Sequence, residues 1–193
     1  MINRTGRRAV PRAVVGVGMT LALLGVVLAG TASAHFLPYD SVDDCEVRWE
    51  DGTKYDSERL AASSAWESLK GDDCVDLLPD AWDTIADLEW QDVNRSDVSW
   101  AGLTRQGDFI TGEIHLNDFY MQSYDSCRRT NVAMHELGHI HGLDHSFSGQ
   151  VMYEFVSPVC TLQSHDIADY QTLWGPRDLP PRTTTTCPRC QEP

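Results

Sequence analysis

Positive charge is scarce in this 193-residue chain, which has 15 lysines and arginines against 29 aspartates and glutamates. Four of the arginines lie in the first 34 residues, which contain no acidic residue, so without that segment the formal net charge falls from −14 to −18. Such an acidic balance disfavours nucleic acids and anionic membranes as partners. It suits a soluble exported protein and one that binds cations.

Residues 1–34 have the organisation of a secretory signal peptide. A basic start with Arg4, Arg7, Arg8 and Arg12 precedes the apolar run AVVGVGMTLALLGVVLAG, and the small-residue pattern Ala32-Ser33-Ala34 follows it. This order predicts cleavage before His35. A membrane anchor is the alternative, because the run is near the roughly 18-residue length of a spanning helix. The glycines and the cleavage pattern favour removal, and either general or twin-arginine export is open. We therefore expect a secreted, extracellular protein with no stable membrane anchor.

The chain also lacks a second C-x-x-C pair, which excludes a zinc ribbon of the usual spacing. Six cysteines follow the predicted signal, and only Cys187 and Cys190 form a C-x-x-C. An even number of cysteines in an exported chain indicates disulfides. No internal repeat is present.

Hydrophobic periodicity predicts one domain over residues 35–175 and a flexible Pro/Thr-rich tail over residues 176–193. Strand patterns occur in CEVRWEDGTKY, in WDTIADLEWQDV, in DVSWAGLTRQGD and from Gly112 to Asn117. The segment SERLAASSAWESLKG predicts a helix with Ser57 as its cap. We expect its buried face to carry Leu60, Ala61, Ser64, Ala65 and Leu69. Two clearer helices are TNVAMHELGHIHGL, which ends at Gly142, and SHDIADYQTLWG, with Ile167, Tyr170, Leu173 and Trp174 on one face.

The segment HELGHIHGLDH, residues 135–145, concentrates four histidines and a glutamate. On a helix His135 and His139 are about 40° apart and share a face, which makes them a pair of zinc ligands. Glu136 lies at the edge of that face, where it could meet a metal-activated water without binding the metal. His141 lies about 240° from His135 and points away.

Gly142 explains how the fourth histidine reaches the same metal. A straight helix would carry residue 145 too far along its axis, whereas a glycine in the left-handed conformation ends the helix and turns the chain. His145 can then join His135 and His139. Three histidines and one open position are typical of a catalytic zinc site.

HELGHIHGLDH, the following VMY and the closing helix DIADYQTLWG resemble the metzincin zinc peptidases, and most closely the matrixin branch. The resemblance covers residues 111–175. It implies zinc ligands at His135, His139 and His145, a general base at Glu136 and a methionine turn at Met152. It also implies an α+β fold, a twisted and mostly parallel sheet packed on helices. The active-site cleft would follow an edge strand, which Glu113–Asn117 could supply by pairing with the substrate backbone.

Two domain disulfides are favoured by position along the chain. Cys45–Cys74 would tie the first strand to the end of the first helix, and Cys127–Cys160 would bracket the zinc helix and the methionine turn. In the tail, PRCQEP is similar to the Pro-Arg-Cys core of the matrixin latency peptide, although it stands at the opposite end of the chain. A zinc-blocking Cys190 is therefore open, but a Cys187–Cys190 bridge is the simpler interpretation.

The sequence thus predicts a monomeric secreted zinc endopeptidase acting on protein or peptide substrates, with Glu136 accepting a proton from a zinc-bound water. One alternative is a secreted binding or adhesion protein of the same fold without turnover, and another is hydrolysis of a non-protein amide. The retained Glu136 favours catalysis. Asp72 and Asp73 could hold calcium, as in the family, but match no defined calcium loop, so a solvated acidic surface is favoured. No latency peptide is expected between the signal and the domain.

Overall fold

The computed structural model describes residues 35–69, 75–106 and 111–175. The strands in these ranges are β1 (Glu46–Gly52), β2 (Asp76–Pro79), β3 (Leu88–Val93), β4 (Gly102–Gln106) and β5 (Gly112–Asn117). The helices are α1 (Asp56–Glu67), the short α2 (Asp118–Met121), α3 (Ser126–Ile140) and α4 (Ser164–Trp174). Met1–Ala34 and residues 176–193, the predicted signal and tail, lie outside the described residues.

The five strands form one sheet in the order β2-β1-β3-β5-β4. β1, β2, β3 and β5 run parallel to one another, and only β4 is antiparallel to its neighbour β5. The predicted α+β fold with a mostly parallel sheet is therefore confirmed. The antiparallel strand β4 lies at one edge, a common arrangement in mixed sheets.

The main core lies between the sheet and helices α1 and α3, which pack on each other. Its largest fully buried side chains come from both layers and from the chain around α4: Trp66, Trp90, Tyr170, Leu88, Ile114, Leu116, Met121, Met134, Leu137, Ile140, Leu143 and Met152. β3 and β5 alternate buried and half-buried residues along much of their length, as expected when one face of a sheet is packed more tightly than the other. This packing fixes α3 against β4 and β5.

The prediction for α1 is wrong in its cap and in its buried face. Tyr55 occupies the N-cap position, so Ser57 lies inside the first turn. The buried residues are Glu58, Arg59, Ala62 and Trp66, whereas Leu60 is 54% exposed. The helix is thus rotated from the predicted orientation, with Trp66 rather than Leu60 in the core, although Ala65 and Leu69 still pack against it.

The substrate-binding edge predicted at Glu113–Asn117 is also wrong. These residues belong to β5, which hydrogen-bonds to β3 on one side and to β4 on the other. An interior strand has no unpaired backbone to offer a substrate. The edge strand on this side of the sheet is β4, which packs against α3. The short strand β2, at the opposite edge, was not predicted.

A disulfide joins Cys127, in the first turn of α3, to Cys160, shortly before α4. Cys45 is also disulfide-bonded. Its expected partner Cys74, like Cys187 and Cys190, lies outside the described residues. Among the residues that the structure describes, no helix is both long and apolar enough to cross a membrane.

Candidate active site

Helix α3 carries the central residues and is held at several points. The Asp125 side chain accepts a hydrogen bond from the Arg128 backbone N–H and caps its start. The indole N–H of Trp66 donates to the Met134 carbonyl at 3.0 Å, which joins α1 to the middle of α3. Together with the Cys127–Cys160 disulfide, these contacts fix the helix that presents His135, Glu136 and His139.

Gly142 ends α3 by the turn that the sequence predicts. Its φ is +83°, in the left-handed region, and His141 is the C-cap. The Gly142 N–H donates to the His139 carbonyl at 2.9 Å, and the Leu143 N–H donates to the Gly138 carbonyl at 3.0 Å. This pair of bonds is the Schellman motif, which satisfies the last carbonyls of the helix and reverses the chain.

The turn brings the three predicted ligand histidines together. The ring centroids of His135 and His139 are 4.6 Å apart, and the His145 ring lies 5.2 Å from the first and 5.0 Å from the second. Each residue offers one ring nitrogen, and these three nitrogens lie within 4.8 Å of one another. His145 is exposed, so the group is open towards solvent.

The hydrogen bonds of these rings fit a metal ion. Nδ1 of His135 lies 2.9 Å from the Val151 carbonyl oxygen, and Nδ1 of His139 lies 2.7 Å from the Leu143 carbonyl oxygen. A carbonyl accepts only, so both Nδ1 atoms carry the proton and both Nε2 atoms present lone pairs. These two Nε2 atoms are 3.1 Å apart. Facing lone pairs repel unless a cation lies between them, and carbonyl-bound histidines are common zinc ligands.

Burial keeps these imidazoles neutral. It lowers the pKa of His135 and the pKa of His139 to about 4, since desolvation penalises the charged ring. Neutral imidazole is the form that binds metal, so little proton release opposes binding near neutral pH. Zinc takes imidazole nitrogen readily, and the donor set therefore fits the cofactor that the resemblance implies.

Glu136 lies beside the triad and is held by the edge strand. Its side chain is buried, and the Thr104 hydroxyl of β4 donates to its Oε2 at 2.8 Å. Burial raises the pKa of Glu136, and the Thr104 hydrogen bond opposes that rise. A Cβ added at Gly102 would lie 2.4 Å from Oε1 of Glu136. The close approach of β4 to the carboxylate therefore requires a glycine there.

Met152 lies under α3, the helix that carries His135 and His139, at the predicted methionine turn. It is 2% exposed, and a Cβ added at Gly138 would lie 2.3 Å from its sulfur. The Asp166 carboxylate accepts hydrogen bonds from the backbone N–H groups of Val151 and Met152, at 2.9 and 3.1 Å. The turn is thus fixed both to α3 and to the first turn of α4.

His141 lies off the helix face that carries His135 and His139, as the helical spacing predicts, but it is not at the surface. It is 1% exposed and packs edge-on against Trp66 and Tyr170, with ring centroids 5.5 Å apart in each case. Neither ring nitrogen has a hydrogen-bond partner among the described residues. Burial lowers its pKa to about 3. Its side chain belongs to the core.

Two residues of the site were not found from the sequence. Thr104 contacts Glu136 across 32 residues, and nothing in the local pattern of β4 marks it. Asp166 did leave a signal, because it stands three residues after Gln163 and forms a capping box at the start of α4. The capping box could be predicted from the sequence, but the contacts of Asp166 with the methionine turn could not.

A cleft of about 640 Å³ runs past the triad and Glu136. Its lining includes the start of β4 with the residues before it, and Tyr153 to Val156. Leu37 and Tyr39 of the N-terminal segment also line the cleft. The calcium candidates Asp72 and Asp73 lie outside the described residues.

Comparisons with known proteins identify the family of this chain. The sequence model described as "Matrixin" matches residues 43–175, most of the chain. A search of curated proteins finds no match. Among solved structures, "GM1 bound form of the ECX AB5 holotoxin" is similar with a TM-score of 0.49 and 11% identity, over 72% of this chain and 86% of that one. That likeness is too weak to bear on function.

Proposed function

This chain belongs to the matrixin family, and we propose that it is a secreted zinc endopeptidase that cleaves protein or peptide substrates in the cleft between β4 and residues 153–156. One observation carries the proposal. Three histidine nitrogens lie within 4.8 Å of one another beside a buried carboxylate that binds none of them. These positions support a metal site with a separate base, the arrangement used for metal-assisted hydrolysis.

His135, His139 and His145 would hold the zinc. When bound, zinc supplies a Lewis acid that polarises the scissile carbonyl and lowers the pKa of a water. The Val151 and Leu143 carbonyls fix the orientation of two of the imidazoles, so the donor atoms are positioned before the metal arrives.

Glu136 would move the proton in the reaction. Its carboxylate accepts a proton from the attacking water and donates it to the nitrogen of the leaving amine, so no covalent intermediate with the chain is needed. Burial raises its pKa, which makes it a stronger base than an ordinary glutamate, and Thr104 holds one of its oxygens. The other oxygen, Oε1, faces the small residue Gly102.

The substrate backbone would pair with β4 as an added antiparallel or parallel strand. β4 is the edge strand of the sheet, and Gly102 and Leu103 both line the cleft. The side chains of the bound segment would then meet Tyr124, Tyr153 and Phe155. Their aromatic surfaces favour apolar side chains near the cleavage site.

Secretion is part of the proposal. The predicted signal peptide directs export, and the Cys127–Cys160 disulfide and the bonded Cys45 suit an oxidising compartment.

Incubation of the purified protein with a denatured protein mixture, followed by mass spectrometry of new peptide termini, tests the function. We expect new termini that disappear when a chelator is added and return when zinc is restored. A protein that binds these substrates without producing termini at any zinc concentration would be an adhesion protein instead.

A further inference from the structure

A second group of metal-binding side chains lies where the N-terminal segment meets α4. Nδ1 of His35 is 3.2 Å from Nε2 of His165, which is 3.2 Å from Oδ2 of Asp169. The third edge, from His35 Nδ1 to Asp169 Oδ2, is 3.6 Å. We propose that these three atoms bind a second zinc ion, distinct from the one held by the triad.

The separations match those of zinc ligands. Tetrahedral zinc with bonds of 2.0–2.1 Å places its ligand atoms about 3.3–3.4 Å apart. All three edges of this group lie near that value. A square-planar copper site would instead bring neighbouring nitrogens to about 2.8 Å and opposite ones to about 4 Å. Calcium is disfavoured because it binds oxygen ligands and two of these three donors are imidazoles.

The three side chains are held in place by their positions in the fold and are largely buried. His165 and Asp169 are four residues apart on α4, so they share one face of the helix. Their side chains are only 6% and 8% exposed, while that of His35 is 31% exposed and closes the group from outside. In the described ranges, the ion pairs of Asp169 are with these two histidines alone. A buried carboxylate without lysine or arginine is stabilised by a bound cation.

The backbone nitrogen of His35 lies close to the same group, 3.4 Å from Oδ2 of Asp169. Cleavage before His35, which the sequence predicts, converts this nitrogen into a terminal amine. A neutral amine is a further nitrogen donor, and it would bring the number of protein ligands to four. Four protein ligands are typical of structural zinc sites.

The site would act through the segment that it holds. The His35 carbonyl accepts a hydrogen bond from the Asp144 N–H at 2.9 Å, and the Leu37 N–H donates to the Gly142 carbonyl at 2.9 Å. These bonds brace the turn that leads to His145. Leu37 and Tyr39 then line the cleft. A zinc ion at His35, His165 and Asp169 therefore anchors both the third ligand of the triad and one part of the cleft wall.

Zinc counting on the full chain tests the proposal without reference to peptidase activity. The protein and its variants are saturated with zinc chloride, freed of loose metal by gel filtration and analysed by inductively coupled plasma mass spectrometry, with the N-terminus determined by protein mass spectrometry. We expect two zinc ions in the wild type and one in both His35→Ala and His165→Gln. His115→Gln is the control and should retain two, because His115 contacts Glu113 at 2.8 Å on β5, outside both groups.

His139→Ala should also contain one zinc ion, because it removes a ligand of the triad and leaves the second group intact. That result would show that the two groups bind zinc independently. Circular dichroism checks folding, and His35→Ala is decisive because His35 is the most exposed of the three ligands. One zinc ion in the wild type, or two in a folded His35→Ala, would overturn the proposal. So would preferential loading of this group by Cu²⁺ in competition with zinc, seen as a tetragonal copper signal that His35→Ala abolishes. If the protein showed no peptidase activity, the proposed function would be wrong, but the expected zinc contents would be unchanged.

Discussion

At the scale of single residues, the histidines of one short segment lie in two different environments. His135, His139 and His145 direct nitrogens towards a common point, whereas the His141 ring is enclosed by Trp66 and Tyr170. The helical spacing of 3.6 residues per turn separates His141 from His135 and His139, and Gly142 indicates the turn that returns His145, so this division could be predicted from sequence. The depth of His141 in the core could not, because it depends on α1 and α4, which are distant in sequence.

His141 should make the folded state sensitive to acid. Its pKa is about 3 in the folded state and near 6.5 in the unfolded chain, so between these values only the unfolded state takes up the proton. Stability is therefore lost as the pH falls below about 6.5. His141→Phe keeps an aromatic ring without this group. We therefore compare the free energy of unfolding of His141→Phe with that of the wild type at two pH values. The difference in favour of the variant should be about 2 kcal/mol larger at pH 5 than at pH 7.5.

Urea titrations of both proteins at the two pH values measure this difference, and the zinc content checks that the metal is retained. A pH-independent difference would show that the ring is not the titrating group. His141→Ala is a poor substitute for this experiment, because removal of a fully buried ring leaves a cavity that costs roughly 2–4 kcal/mol.

Thr104 should lower the pKa of Glu136, the proposed general base. Thr104→Val keeps the shape of the side chain but removes the hydrogen bond that favours the charged form of Glu136, so the pKa of Glu136 should rise further. Since the base acts as a carboxylate, the acid limb of the pH profile of kcat/KM should move to higher pH. Thr111→Val is the control, because the Thr111 hydroxyl donates to the Ala86 carbonyl, outside the cleft lining. An unshifted profile in Thr104→Val would argue against a role for this contact.

At the scale of elements, the end of α3 decides whether the third histidine reaches the metal. Gly142 has a φ of +83°, and an added Cβ would lie 3.2 Å from Cβ of Asp40 and 3.3 Å from the Tyr39 carbonyl oxygen. Gly149 has a φ of +89° but nothing within 4 Å of an added Cβ. The two glycines therefore have similar backbone strain on substitution but different surroundings.

We expect Gly142→Ala to weaken zinc binding by the triad about tenfold or more, because the turn that carries His145 shifts. An alanine with positive φ costs roughly 1–2 kcal/mol in either position. Gly149→Ala should therefore lose similar backbone stability and keep its zinc affinity. Competition with a chromophoric chelator measures both affinities, and equal losses in the two variants would contradict the role given to the turn.

The helices differ in how well their sequence predicted them. The ligand face and the end of α3 could be predicted because the histidine spacing and Gly142 are local signals. The buried face of α1 was misread because Glu58 and Arg59 occupy it: Glu58 pairs with Arg129 at 2.7 Å, and Arg59 pairs with Asp51 at 2.7 Å and lies over the Trp49 ring. Charged residues that are buried because they pair across the fold cannot be recognised from hydrophobic periodicity. Strand order, which makes β4 rather than β5 the edge, is likewise set by non-local pairing.

At the scale of the whole domain, the histidine triad is supported by parts of the chain that are more distant in sequence. α3 and the 142–145 turn meet at the triad, and the methionine turn is held from α4 by Asp166. A bound metal that favours only the folded state stabilises it by about 4 kcal/mol at a concentration 1,000 times its dissociation constant.

Chelation should therefore lower the midpoint of thermal unfolding by roughly 10 °C for a domain of this size. Differential scanning calorimetry of the protein with excess zinc and after chelation measures the change. Zinc added back should restore the midpoint. Identical midpoints in the two states would show that the histidines bind no stabilising metal.

We propose that a buried glutamate, separate from the ligands, performs proton transfer at a histidine-bound zinc ion. Glu136→Gln tests it most directly, with zinc content and peptide cleavage measured on the same sample. An amide cannot accept the proton but leaves all three imidazoles in place. We expect Glu136→Gln to keep the zinc content of the wild type and to cleave peptides about 10²–10⁴-fold more slowly. A variant that keeps its zinc and cleaves peptides at the wild-type rate would contradict it.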